Sequence, residues 1–108
     1  YHTLYSKKET WKFMACGDIK ALEFINKNEL LILQTEHSKK TKNSLVTISK
    51  LNLKNGAYKI LAKLDSKNGW KIDNFEGLTK VGKNKFLIIS DNQSDSSQKT
   101  LLVLFEIN

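Results

Sequence analysis

An 18-residue segment that begins at Ile19, IKALEFINKNELLILQTE, aligns without a gap on FEGLTKVGKNKFLIISDN, which begins at Phe75, a spacing of 56 residues. Leu22 falls on Leu78, Asn28 on Asn84, and Leu30-Leu31-Ile32-Leu33 on Phe86-Leu87-Ile88-Ile89. Each copy then runs through a polar loop into another apolar segment, SLVTISKLNL or TLLVLFEIN. A chain that repeats one apolar pattern at this interval is assembled from one supersecondary unit. Such units bury their apolar faces against one another.

The unit is made of strands. Apolar segments are short and separated by turn residues, and NKN at 26–28, KNG at 54–56 and GKN at 82–84 have the composition of hairpin links. Strands are expected at 2–6, 10–15, 19–25, 29–35, 45–53, 57–64, 75–81, 85–90 and 100–107. LLIL and FLII are continuous apolar runs, as in central strands covered on both faces. TISKLNL and YKILAKL partly alternate, as strands with one wetter face do. The expected fold class is therefore all-β, with antiparallel four-stranded units arranged as the C-terminal portion of a β-propeller. Residues 19–64 form one complete blade, 75–108 a last blade lacking its outer strand, and 1–15 the outer hairpin of a preceding blade. The missing outer strand would come from an N-terminal portion. The alternative architecture is a free-standing β-sandwich.

Composition removes several function classes. The 108 residues suit one modest domain, and 40% hydrophobic with 27% charged residues is a globular rather than a disordered balance. No apolar run approaches the length of a membrane span. The net charge of +7 points towards polyanions, but all 18 basic residues are Lys, and they are scattered rather than gathered into a stripe. Bidentate reading of bases and phosphates is the work of Arg, so no nucleic-acid partner is expected. Cys16 is the single cysteine and reads as a small buried strand residue. His2 and His37 lack companions at metal-ligand spacing, so no zinc site is expected. The chain opens on Tyr1 rather than Met, so a natural N-terminus upstream is an expectation. No serine-nucleophile elbow occurs.

The runs DNFEGL, LIISDN and QKTLLVLFEIN, preceded by DIKALEFINKNELLIL, resemble the phytase-like β-propeller family, the domain called esterase-like activity of phytase. The resemblance extends from about Asp18 to Asn108. It implies a hydrolase of phosphate or carboxylic esters that uses a cation, most readily Ca²⁺, acts on a small ester substrate, and resides outside the cytoplasm, in the periplasm or secreted. The chain departs from the family pattern at Gln34-Thr35, where a Glu-Arg pair is usual, and at Lys99, where Arg is usual. A non-catalytic propeller that binds a ligand or a protein partner is the alternative.

A hairpin brings the start of one strand beside the end of the next. Asp73, Asn74 and Glu76 are therefore expected near Asp91 and Asn92, with Asp95 in the following loop. Carboxylate and amide oxygens so gathered suit a hard divalent cation, with Glu76 and Asp91 as the principal ligands and Asp73, Asn74 and Asn92 as supporting ones. Strict alternation would put Glu76 and Leu78 on one face and Phe75 and Gly77 on the other. The plainer reading of the same residues is turn capping by Asp and Asn, with Gly77 admitting close strand packing. Open sheet faces imply a partner, either the N-terminal portion of the same propeller or another copy.

Overall fold

The alternation within ELLIL shows how the chain packs. Leu30 and Ile32 point to one side of their strand and join a cluster with Phe13 and Leu51, while Leu31 and Leu33 point to the other and join Val46, Ile48, Phe75, Phe86 and Ile88. A strand can be apolar at every position only when both its faces are covered, and here two different sheets cover it.

The computed structural model describes residues 2–13, 17–37, 44–65, 74–91 and 102–107. They form nine strands and no helix: β1 (His2–Tyr5), β2 (Thr10–Phe13), β3 (Asp18–Asn26), β4 (Glu29–His37), β5 (Ser44–Asn52), β6 (Tyr58–Asp65), β7 (Asn74–Gly82), β8 (Lys85–Asp91) and β9 (Leu102–Glu106). All pairing is antiparallel between sequence neighbours. It gives a hairpin β1-β2, a four-stranded sheet β3-β4-β5-β6 and a three-stranded sheet β7-β8-β9. The strands expected from sequence are all present within a residue or two where they lie among the described residues. Cys16 and the expected positions 14–15 and 100–101 lie outside them.

The repeat is carried into the backbone register. β3 pairs with β4 as Asp18↔Thr35, Ile19↔Gln34, Ala21↔Leu33 and Leu22↔Ile32, with irregularities at Ile19/Ala21 and Phe24/Asn26. β7 pairs with β8 as Asn74↔Asp91, Phe75↔Ser90, Gly77↔Ile89 and Leu78↔Ile88, with irregularities at Phe75/Gly77 and Lys80/Gly82. Every pair, and both bulges, are displaced by the same 56 residues. The hairpin ends correspond too, since the Asn28 carbonyl accepts the Leu53 amide at 2.7 Å and the Asn84 carbonyl accepts the Ile107 amide at 2.8 Å.

The two sheets lie face to face with β3 beside β7, and Lys80 Nζ donates across the junction to the Ile25 carbonyl at 2.6 Å. The β1-β2 hairpin covers the opposite face of the four-stranded sheet, tied by Trp11 Nε1 donating to the Leu53 carbonyl (2.8 Å) and by Phe13 stacked on Tyr58 at 5.6 Å. The three sheets do not close on one another. FLII accordingly differs from LLIL: Phe86 and Ile88 are buried, while Leu87 and Ile89 are only half-buried. The outer face of its sheet has no covering layer among the described residues.

Candidate functional site

Asn74 opens β7 and Asp91 closes β8, and the register places them directly opposite each other. Glu76 occupies the extra position of the bulge between Phe75 and Gly77. The structure thus brings Asn74, Glu76 and Asp91 to one end of one hairpin, as the sequence implied. Asp73, Asn92 and Asp95 lie outside the described residues.

The bulge corrects the expected face assignment. With two β7 residues opposing one step of β8, Phe75 and Gly77 face consecutive partners, Ser90 and Ile89, and so lie on opposite faces. Phe75 instead shares its face with Leu78, and both belong to the core between the sheets. At Gly77 a methyl group would stand 3.4 Å from the Ile89 Cβ, an ordinary contact, so packing against β8 does not require glycine there.

The same end of the neighbouring sheet carries equivalent positions that the sequence reading passed over. Displacing Asn74 and Asp91 by 56 residues gives Asp18 and Thr35, themselves register partners. Asp18 is exposed and Thr35 is buried, and the Thr35 hydroxyl has no hydrogen-bond partner among the described residues. Gly17, with φ +84°, presses against this strand so closely that a Cβ would lie 2.3 Å from the Thr35 carbonyl oxygen. His2 Nε2–H donates to the Gly17 carbonyl at 3.1 Å, which brings the hairpin to the same end. The signal that could have found Asp18 and Thr35 was the repeat itself.

Gln34, the first of the two departures from the family pattern, faces the opposite cluster and is buried. Its Oε1 accepts from Ser49 Oγ at 3.0 Å and from Tyr58 OH at 2.8 Å. These bonds link β4, β5 and β6 through neutral side chains.

By residue type, Asn, Asp and Glu are the ligands that Mg²⁺ and Ca²⁺ take. Among the described residues, no group of three or more His, Cys, Asp or Glu side chains converges to hold a metal. The backbone placement fits a cation site only as far as residues 74, 76 and 91 share one strand end. Glu29 lies at the turn of the β3-β4 hairpin, away from these strand ends. Glu29 is held below the usual carboxylate range by a hydrogen bond from Asn26 and by Lys50 at 3.0 Å. Among the described residues, no helix is long and apolar enough to cross a membrane.

No family model, curated protein or solved structure matches this chain.

Proposed function

We propose that these sheets are blades of a β-propeller that binds a ligand through a divalent cation at the strand ends marked by Asn74, Glu76 and Asp91. The observation that carries this reading is the repeated register, which extends to both bulges in two sheets stacked with β3 beside β7. Radial repetition of that kind is how propellers build their sites, from strand ends that recur in adjacent blades. Ca²⁺ suits the oxygen donors, with Glu76 and Asp91 supplying charge and Asn74 an amide oxygen. Further blades, from an N-terminal portion or another copy, complete the ring.

The second reading is a cation-assisted hydrolase of phosphate or carboxylic esters, which rests on the family resemblance. A cation bound there would polarise the ester oxygen. The Gln34 network favours the binding reading, because the position where the family usually carries a charged pair serves interior hydrogen bonding here.

Calorimetric titration with Ca²⁺ of the wild type, Glu76→Gln and Asp91→Asn tests the proposal, followed by ester hydrolysis with and without chelator. Binding heat that is lost in both variants, with no turnover, supports the binding propeller. Turnover lost with chelator and in Glu76→Gln supports the hydrolase. Absence of binding heat in the wild type overturns both.

A further inference from the structure

The sequence scatters its lysines, and the meander gathers some of them. Short links join β1 to β2, β3 to β4, β5 to β6 and β7 to β8, and all of them reach the same end of the stack. The Leu53 amide donates to the Asn28 carbonyl at 2.7 Å, which joins the β5-β6 link to the β3-β4 turn. Trp11 Nε1, one register step from the β1-β2 link, donates to the Leu53 carbonyl at 2.8 Å. Lys80, beside the β7-β8 turn, donates to the Ile25 carbonyl at 2.6 Å.

Every link presents lysine. Lys7 and Lys8 stand in the first, Lys27 in the second, Lys54 in the third and Lys83 in the fourth, and all are exposed. Lys27 and Lys83 are equivalent positions of the repeat. Against these charges the links hold one carboxylate, Glu9. Glu29, just past the second link, is taken by Lys50 at 3.0 Å, and Lys85 and Glu106 offset each other as register partners. Among the described residues, none of the link lysines forms an ion pair. Tyr5 and Val81, beside the first and last links, are 75% and 52% exposed.

We propose that this end of the stack docks onto an anionic lipid bilayer, with Lys7, Lys8, Lys27, Lys54 and Lys83 against the headgroups. The layout selects the partner. The links belong to three sheets packed face to face, so their lysines are spread in two dimensions rather than along a line. A linear polyanion follows a stripe, and bidentate reading of its phosphates needs Arg, which the chain lacks. A plane of anionic headgroups meets every link at once, and exposed Tyr and Val beside the lysines suit the headgroup boundary. Further blades would stack beside these sheets and leave their ends open. The Asn74–Asp91 strand ends lie at the opposite end of the same strands. Bilayer contact is therefore separate from the proposed cation site and needs no cation.

Cosedimentation of the full chain with vesicles, in the presence of chelator, tests this. Vesicles of equal parts phosphatidylcholine and phosphatidylglycerol should bind the chain, vesicles of phosphatidylcholine alone should not, and added salt should release it. A variant carrying Lys27→Gln, Lys54→Gln and Lys83→Gln should bind about a hundredfold more weakly, at roughly fivefold per lysine. A variant carrying Lys12→Gln, Lys20→Gln and Lys63→Gln loses the same charge from strand positions away from the links. It should bind less than about tenfold more weakly, since those charges lie more than a Debye length from the lipid. Both variants should keep the wild-type circular dichroism spectrum, and Lys83→Gln alone should show its fivefold share. Failure to sediment with the mixed vesicles, equal binding to both vesicle types, or equal loss in the two variants overturns the proposal. Release of the vesicle-bound chain by stoichiometric duplex DNA also overturns it, and marks a linear polyanion as the partner.

Discussion

At Gly17 the backbone demands what no side chain can give. Its φ of +84° lies in the left-handed region, and the space a Cβ would need is taken by the Thr35 carbonyl oxygen. Gly17→Ala therefore combines conformational strain with a backbone clash, and should cost at least about 2 kcal/mol in denaturant unfolding. Asn84 is the milder case, a left-handed residue (φ 58°) in the β7-β8 turn. Asn84→Gly should be nearly neutral and Asn84→Ala should cost about 1 kcal/mol. The hydroxyls that meet Gln34 Oε1 are separable by mutation. Tyr58→Phe and Ser49→Ala should each cost about 1 kcal/mol, and the double variant should depart from additivity because both donors share one acceptor. Glu29 gives a pH signature. Its carboxyl pKa is lowered on folding, first by Asn26 and then by Lys50, so its contribution is present at neutral pH and fades as the pH falls through the lowered value. The stability gap between wild type and Glu29→Gln, below about 1 kcal/mol for so accessible a pair, should be measurable at pH 7 and close in acid.

At the scale of the elements, the strands were legible because apolar runs bounded by Asn, Gly and Lys turns leave little choice, and the repeat supported β3, β4 and β5 with second copies in β7, β8 and β9. LLIL announced burial on both faces, and two clusters divide its side chains. FLII carried the same signal and received half the cover, because pattern records what a strand requires and not which layer is at hand. The bulge at Glu76 was not legible. An extra residue leaves composition unchanged and alters only the pairing, so strict alternation assigned Gly77 to the face of Phe75. The corner at Asn74 and Asp91 was readable from hairpin geometry alone, whereas Asp18 and Thr35 needed the repeat applied to the site as well as to the strands. Core positions shared by both sheets should be the most sensitive to truncation. Ile88→Ala, at a fully buried position between them, should cost about 3 kcal/mol and leave the strand content by circular dichroism unchanged.

Over the whole molecule, apolar surface remains at both ends of the stack. Leu22 and Phe24 are 42% and 54% exposed beside the β1-β2 hairpin, and Leu102 and Leu104 project from the last sheet. Faces of this kind recruit a neighbour. Light scattering over a concentration series should show association, reduced in a Leu102→Lys, Leu104→Lys variant of unchanged fold. A compact monomer at every concentration would refute this. The order of pairing has one more consequence. Each strand bonds only to its neighbour in sequence, so the chain can be laid down strand by strand with every loop closure short. Distant parts are joined by the seam of β3 against β7 and by the β1-β2 hairpin packed on Leu53 and Tyr58. An unfolding chain should therefore yield along that seam first and release two intact meanders, each able to re-form before the other is found.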